Sequence, residues 1–136
     1  MDGELLQGDG FSVRIERQDG YLRAHVFGGR DSLEVSIAMW TLIAAQCRRL
    51  GERRLLVVED LESALDVGEV EQLVEAVIDL GFRGMQVAFV DLRQTSGATE
   101  HGEILAVERG VSARVFSSER AARNWLHLGD TPGPLG

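Results

Sequence analysis

Four consecutive apolar residues, Leu55-Leu56-Val57-Val58, stand between the charged residues Arg54 and Glu59. Successive side chains of an extended chain alternate between faces, so an unbroken apolar run presents apolar groups on both. That is the pattern of a central strand in a parallel sheet, covered on both faces. Parallel neighbours need crossover connections, and the flanking sequence supplies helices for them.

Ahead of the run, Asp31 stands three residues before Glu34, an Asp variant of the capping box, and predicts a long helix ending near Leu50. Gly51 is placed for a left-handed cap, with Arg48 and Arg49 opposing the negative end of the dipole. After the run, Asp66 and Glu69 repeat the box. Val67, Val70, Leu73, Val74, Val77 and Ile78 then recur at helical spacing until Gly81. Met85 to Val90 reads as another buried strand, a short helix is expected around Ile104 to Val107, and Val111 to Phe116 reads as a further strand. Ser117 or Ser118 caps a last helix carrying Ala121, Ala122, Trp125 and Leu126.

The amino-terminal part alternates with a period of two. Phe11, Val13 and Ile15 oppose Ser12, Arg14 and Glu16; Asp19-Gly20 is a hairpin turn; Leu22, Ala24 and Val26 then oppose Tyr21, Arg23, His25 and Phe27. The expected architecture is a single α/β domain with a mixed five-stranded sheet and four helices, in the order β-β-α-β-α-β-α-β-α. Residues 1–10 are expected to be a flexible N-terminus, 11–128 the domain and 129–136 a flexible tail. Periodicity leaves open whether the helices lie on one face of the sheet or on both.

The chain has 136 residues, enough for one core, and its net charge of −8 opposes nucleic acid at long range. All its cations are arginine. The opening MDGELLQGDG lacks the basic and apolar stretches of an export signal, and the longest apolar stretch, Ile37 to Cys47, falls well short of the roughly 20 residues of a membrane span. A cytoplasmic protein without a membrane span is expected. Its one cysteine, Cys47, rules out an internal disulfide and lies on an apolar helical face with Trp40 and Ala44, as a buried hydrophobe does.

Three stretches together resemble the STAS domain of bacterial anti-sigma factor antagonists and its divergent Sec14-like relatives. They are Arg54 to Asp60, Gly84 to Asp91, and Gly110-Val111-Ser112-Ala113-Arg114-Val115-Phe116-Ser117-Ser118-Glu119 followed by Ala121, Ala122, Trp125 and Leu126. The resemblance implies a non-enzymatic regulatory module, with a protein partner docked on the second helix and the loop before it. The antagonists carry a phosphorylated serine in an Asp-Ser-Ser-Gly type motif there. This chain reads Asp60-Leu61-Glu62-Ser63-Ala64-Leu65-Asp66, without a Ser-Gly pair and with acids that disfavour a phosphate on Ser63. The Sec14-like branch implies a cavity for an apolar, lipid-like ligand.

Ligands of open α/β sheets sit beyond the carboxyl ends of the parallel strands, which makes Asp60, Glu62 and Ser63, then Asp91, Arg93, Thr95 and Ser96, the default site. Asp91, Ser96 and His101 have the residue types of a hydrolytic triad, but the serine lacks a Gly-x-Ser-x-Gly elbow. Glu100-His101-Gly102-Glu103 lacks the spacing of metal ligands, and no glycine motif cradles a phosphate. No catalytic residue, metal or cofactor is expected.

Two helical patterns carry the partner and ligand expectations. Glu71, Glu75 and Asp79 form an i, i+4, i+8 acidic row with no cation interleaved on that helix; with Asp60, Glu62 and Ser63 they are the expected docking surface. On the first helix Leu33, Ile37, Met39, Trp40, Ile43, Ala44, Cys47 and Leu50 share one broad arc, while Val35 and Leu42 fall outside it. This surplus suits ordinary exposed apolar residues, a subunit contact in a homo-oligomer, or an apolar ligand site, the last assigned to Phe27, Met39, Trp40 and Ile43.

Overall fold

The structure, a computed structural model, describes residues 3–62, 65–93 and 98–128. Two Asp-Gly turns organise its first part. Strand β1 (Glu4–Gly8) pairs antiparallel with β2 (Phe11–Gln18), and β2 with β3 (Tyr21–Arg30), the hairpins closing at Gly8↔Phe11 and Gln18↔Tyr21. Gly10 and Gly20 have φ of 93° and 88°, the left-handed region that a two-residue hairpin needs and that a side chain resists.

The rest alternates helix and strand: α1 (Leu33–Leu50), β4 (Arg54–Glu62), α2 (Val67–Asp79), β5 (Gln86–Asp91), α3 (Ala98–Glu108), β6 (Ser112–Phe116) and α4 (Glu119–Leu128). The sheet is mixed, antiparallel over β1–β3 and parallel over β3–β6, and its strands lie in chain order from β1 to β6. The α/β class and the four helices agree with expectation. The strand count does not: the described residues form six strands rather than five, in the order β-β-β-α-β-α-β-α-β-α. The additional strand, β1, occupies part of the stretch expected to be a flexible N-terminus. Asp9-Gly10 makes the same turn as Asp19-Gly20, and five residues suffice for a strand at a sheet edge.

Each crossover through α1, α2 and α3 steps to the next strand in the same direction. Crossovers of one hand then place all three helices on one face. That face holds the main core, with Phe11, Val13, Ile15, Leu22, Ala24 and Val26 of the hairpins meeting Met39, Trp40, Ile43 and Cys47 of α1 and Leu55, Val57 and Leu61 of β4. On the other face, among the described residues, Ala122 and Leu126 of α4 pack on Tyr21, Leu56, Val58, Ala88 and Val90. Val35 and Leu42 are half-buried against the main core, as is Leu6 of β1. With six strands beneath it, α1 has sheet to cover on both sides of its principal arc.

The caps follow local chemistry with one change. Asp66 and Glu69 form the expected box, Glu69 N–H donating to Asp66 Oδ1 at 2.8 Å and Asp66 N–H to Glu69 Oε1 at 3.1 Å. Gly51 closes α1 in the left-handed region, and Ser118 accepts from Ala121 N–H at the start of α4. At the start of α1, however, the capping oxygen is that of Ser32, which accepts from Val35 N–H at 3.1 Å. Asp31 is released from that role and buried. No helix among the described residues is long and apolar enough to cross a membrane.

Candidate functional site

Helix α3 lies against α2 and β6 without burying a single side chain fully. The residues it turns inward are small: Ala98, Gly102 and Ala106, four apart, with Thr99 and Glu103 beside them. Gly102 sits so near α2 that a Cβ there would lie 3.5 Å from Val70 Cγ1. Small residues bring the backbone close yet leave the space in front of the sheet unfilled. A cavity of about 140 Å³ results, walled by Leu73, Val74, Val77 and Ile78 of α2, Met39 and Trp40 of α1, and Phe82, Val87 and Phe89. Trp40 meets Phe82 edge-on at 5.4 Å between centroids and lies nearly parallel to Phe89 at 6.2 Å.

One end of this apolar chamber is acidic. Along β4 the side chains of Leu55, Val57, Glu59 and Leu61 share the main-core face by alternation, so Glu59 points inward and is only 5% exposed. Its register partner on β5, Asp91, shares that face and is also 5% exposed. Asp31, 3% exposed, joins them from just before α1 and accepts a short 2.5 Å hydrogen bond from Ser36 Oγ. Asp91 accepts from Arg93 N–H at 3.0 Å and from Thr99 Oγ1 at 3.1 Å. Asp31, Ser36, Glu59 and Thr99 all line the cavity.

Burial, and then the charges of Asp31 and Asp91, hold the Glu59 carboxyl well above the usual carboxylate range, and its hydrogen bond with Asp31 raises it further. Burial also raises Asp31, against the Ser36 hydroxyl and the Ser32 N–H, which favour its charged form. The hydrogen bond between them favours the neutral form of Glu59 and the charged form of Asp31. A buried carboxylic acid beside two further carboxyls can donate or accept a hydrogen bond according to what approaches it.

The expected ligand residues separate. Met39 and Trp40 line the cavity, Ile43 is fully buried in the core beneath α1, and Phe27 belongs to the other face, 5.2 Å from the His25 ring. Phe27 cannot join Met39 and Trp40 because it alternates with Val26, which does face α1.

The expected docking residues are dispersed and mostly paired within the chain. Asp60 accepts from Arg93 Nε at 2.8 Å, Glu62 from Arg30 at 3.2 Å, and Glu75 is ion-paired with Arg109. Glu71 lies 3.7 Å from His101, and Asp79 is exposed. Arg109, one residue beyond α3, thus supplies Glu75 with a cation that α2 itself lacks, and His101 of α3 stands beside Glu71. Ser63, Thr95 and Ser96 lie outside the described residues. His101 is directed at Glu71, and Asp91 bonds Thr99, so the two do not form the acid-base pair of a triad.

Glu59 and Asp31 are the site residues that sequence reasoning passed over. The signal for Glu59 was Leu61: an apolar residue two positions further on carries the strand past the acid and fixes its face. In comparison with known proteins, no family model and no curated sequence matches the chain.

Proposed function

We propose that the chain is a non-enzymatic binding module that encloses a small, largely apolar molecule between the sheet and helices α2 and α3. The observation that carries this reading is the cavity of about 140 Å³ with aromatic walls and one polar end. The pocket is half-open, and an occupant would displace solvent from its apolar walls. The volume is close to that of an engineered cavity of about 150 Å³ known to accept benzene, so a single ring or a short branched chain is the fitting scale rather than a long lipid tail.

The test uses the Trp125→Phe variant, which leaves Trp40 as the sole indole. Titration with small aromatic and branched aliphatic probes should quench or shift Trp40 emission and raise Tm by mass action. Absence of both responses up to the probes' solubility limits would remove the reading.

A second reading keeps the STAS-like resemblance: a regulatory module docking a protein partner through the segment from Asp60 to Asp79. It is favoured by the Glu71 and Glu75 side chains, each 60% exposed. Reversal of both to Arg should then weaken any captured complex and alter its salt dependence. The cavity reading stands first because Glu75 is already paired with Arg109 and Glu71 already has His101 beside it.

A further inference from the structure

The sheet ends at β6, and among the described residues no strand pairs with its outer edge. Ser112 N–H donates to Met85 O at 2.9 Å, which turns the main-chain groups of Ser112, Arg114 and Phe116 toward β5 and those of Ala113 and Val115 away from it. The Ala113 N–H is held by Val111 O at 2.9 Å. The Ala113 carbonyl and both main-chain groups of Val115 are left along the open edge, a template for one further strand.

The side chains beside that edge are sorted by face. Ala113 and Val115, register partners of Val87 and Phe89, stand half-buried on the main-core face. Arg114, register partner of Ala88, is exposed on the other face with its guanidinium 5.6 Å from the Phe116 ring centroid, and no carboxylate pairs with it among the described residues. Helix α3, the crossover between β5 and β6, packs on β6. His101 marks its flank toward α2. Counted at about 100° per residue, Val107 lies on the opposite flank, about 140° round from Gly102, and is 53% exposed.

We propose that the β6 edge is a docking site for an extended segment of another protein with the alternation apolar–acidic–apolar. Main-chain pairing with Ala113 and Val115 continues the sheet; the two apolar side chains lie beside Ala113 and Val115 under Val107, and the acid stands opposite Arg114 on the other face. The pattern reads the same in both directions, so it serves a parallel or an antiparallel segment alike. A second copy of the chain is the poorer occupant. Antiparallel pairing of two β6 strands about their middle residue sets Arg114 against Arg114, and like charges directly opposite one another destabilise a sheet. One arginine at the centre of a five-residue edge thus discourages self-pairing and favours an acid. The site goes beyond the cavity reading: it needs no occupant in the cavity and uses neither Glu71 nor Glu75.

The experiment uses the full chain and fluorescein-labelled peptides in which Val-Glu-Val, Val-Lys-Val or Ser-Glu-Ser is set between threonines, read by anisotropy. Val-Glu-Val is expected to bind about five-fold or more tightly than either of the others, the scale of cross-strand side-chain pairs. Arg114→Glu, at an exposed position, should reverse the order of Val-Glu-Val and Val-Lys-Val, a gain that an unfolded variant could not show. Val107→Ser should weaken Val-Glu-Val, whereas Glu71→Gln with Glu75→Gln should leave it unchanged. N-methylation of all three central residues should abolish binding, because the peptide then has no N–H to give the edge. The assignment is overturned if Val-Glu-Val fails to bind up to about 1 mM, if its preference is unaltered in Arg114→Glu, or if binding survives N-methylation. Growth of the protein's own hydrodynamic size with concentration, undisturbed by peptide, would give the edge to a second copy instead. The cavity reading stands or falls separately, by the Trp40 titration.

Discussion

Glu59 and Asp91 are register partners on the parallel strands β4 and β5, their side chains adjacent on the face that α1, α2 and α3 cover. Like charges opposite one another on neighbouring strands destabilise a sheet, and burial makes the conflict sharper. The chain relieves it by favouring the neutral form of Glu59 against Asp31 and giving Asp91 the Thr99 hydroxyl and the Arg93 N–H.

The relief depends on pH. Glu59 and Asp31 both have folded pKa values raised above their unfolded ones. A raised carboxyl leaves stability intact below the unfolded value, about 4 for these groups. Stability is then lost as pH rises toward the folded value, because the unfolded chain releases the proton first. Glu59→Gln keeps a neutral donor and removes the larger part of this dependence. Urea midpoints of the two proteins should therefore diverge in favour of the variant as pH rises above the unfolded value of about 4. A gap that stays constant over that range would show that Glu59 titrates in an ordinary environment.

Gly102 faces α2 from the middle of α3 with ordinary contact distance to spare, 3.5 Å from a built Cβ to Val70. Gly102→Ala should stabilise the protein by about 0.5–1 kcal/mol through helix propensity. The same methyl intrudes on the cavity, so probe affinity should fall as stability rises. Chemical denaturation and Trp40 titration on one preparation separate the two effects; affinity unaltered in the stabilised variant would place the probe elsewhere.

The first hairpin is held by Gly10 at φ 93°. A β-branched residue is strained there by about 1–2 kcal/mol, so Gly10→Val should lower Tm and loosen β1 from β2. Amide exchange would report the loosening as lost protection at the N–H groups of β1 and β2 that pair across Leu6↔Val13. Full protection in the variant would mean that β1 is held independently of its turn.

Cys47 is buried in the main core, and burial pushes its thiol up to about 11. Thiolate is the reactive species, so native protein at about pH 8 should label negligibly with an alkylating reagent and label fully in urea. Rapid native labelling would place Cys47 outside the core.

The elements that rest on local chemistry were legible before any coordinates. The Asp66–Glu69 box, the Gly51 cap, the strand Leu55 to Val58 and the helical stripe of α2 all occur where their residues point. The misses share a cause, which is competition between equally good local signals. Asp31 and Ser32 are both favourable N-caps, and only the tertiary fold decides that the serine caps while the aspartate is buried. Asp9-Gly10 and Asp19-Gly20 carry the same turn chemistry, but the strand before the first is short and its apolar content small. Phe27 was assigned to the α1 face against its own alternation with Val26. The spacing of Ala98, Gly102 and Ala106 was visible in the sequence; that it would border a void depends on how far α3 stands from the sheet, which no single-helix pattern encodes.

A sheet whose spatial order repeats its chain order can be assembled by accretion. Each strand from β2 to β6 pairs with the strand synthesised immediately before it, so no later segment must insert between two earlier ones. A chain emerging from its amino end can close the β1–β2–β3 meander through two tight turns and then add one helix-strand unit at a time to a single growing edge. The exception is the second face. Leu56, Val58, Ala88 and Val90 wait for Ala122 and Leu126 of α4, which follows every strand of the sheet in the described residues. Until α4 docks, that apolar surface stays open, and a nascent chain halted before Glu119 would present it to whatever binds exposed hydrophobic sheet.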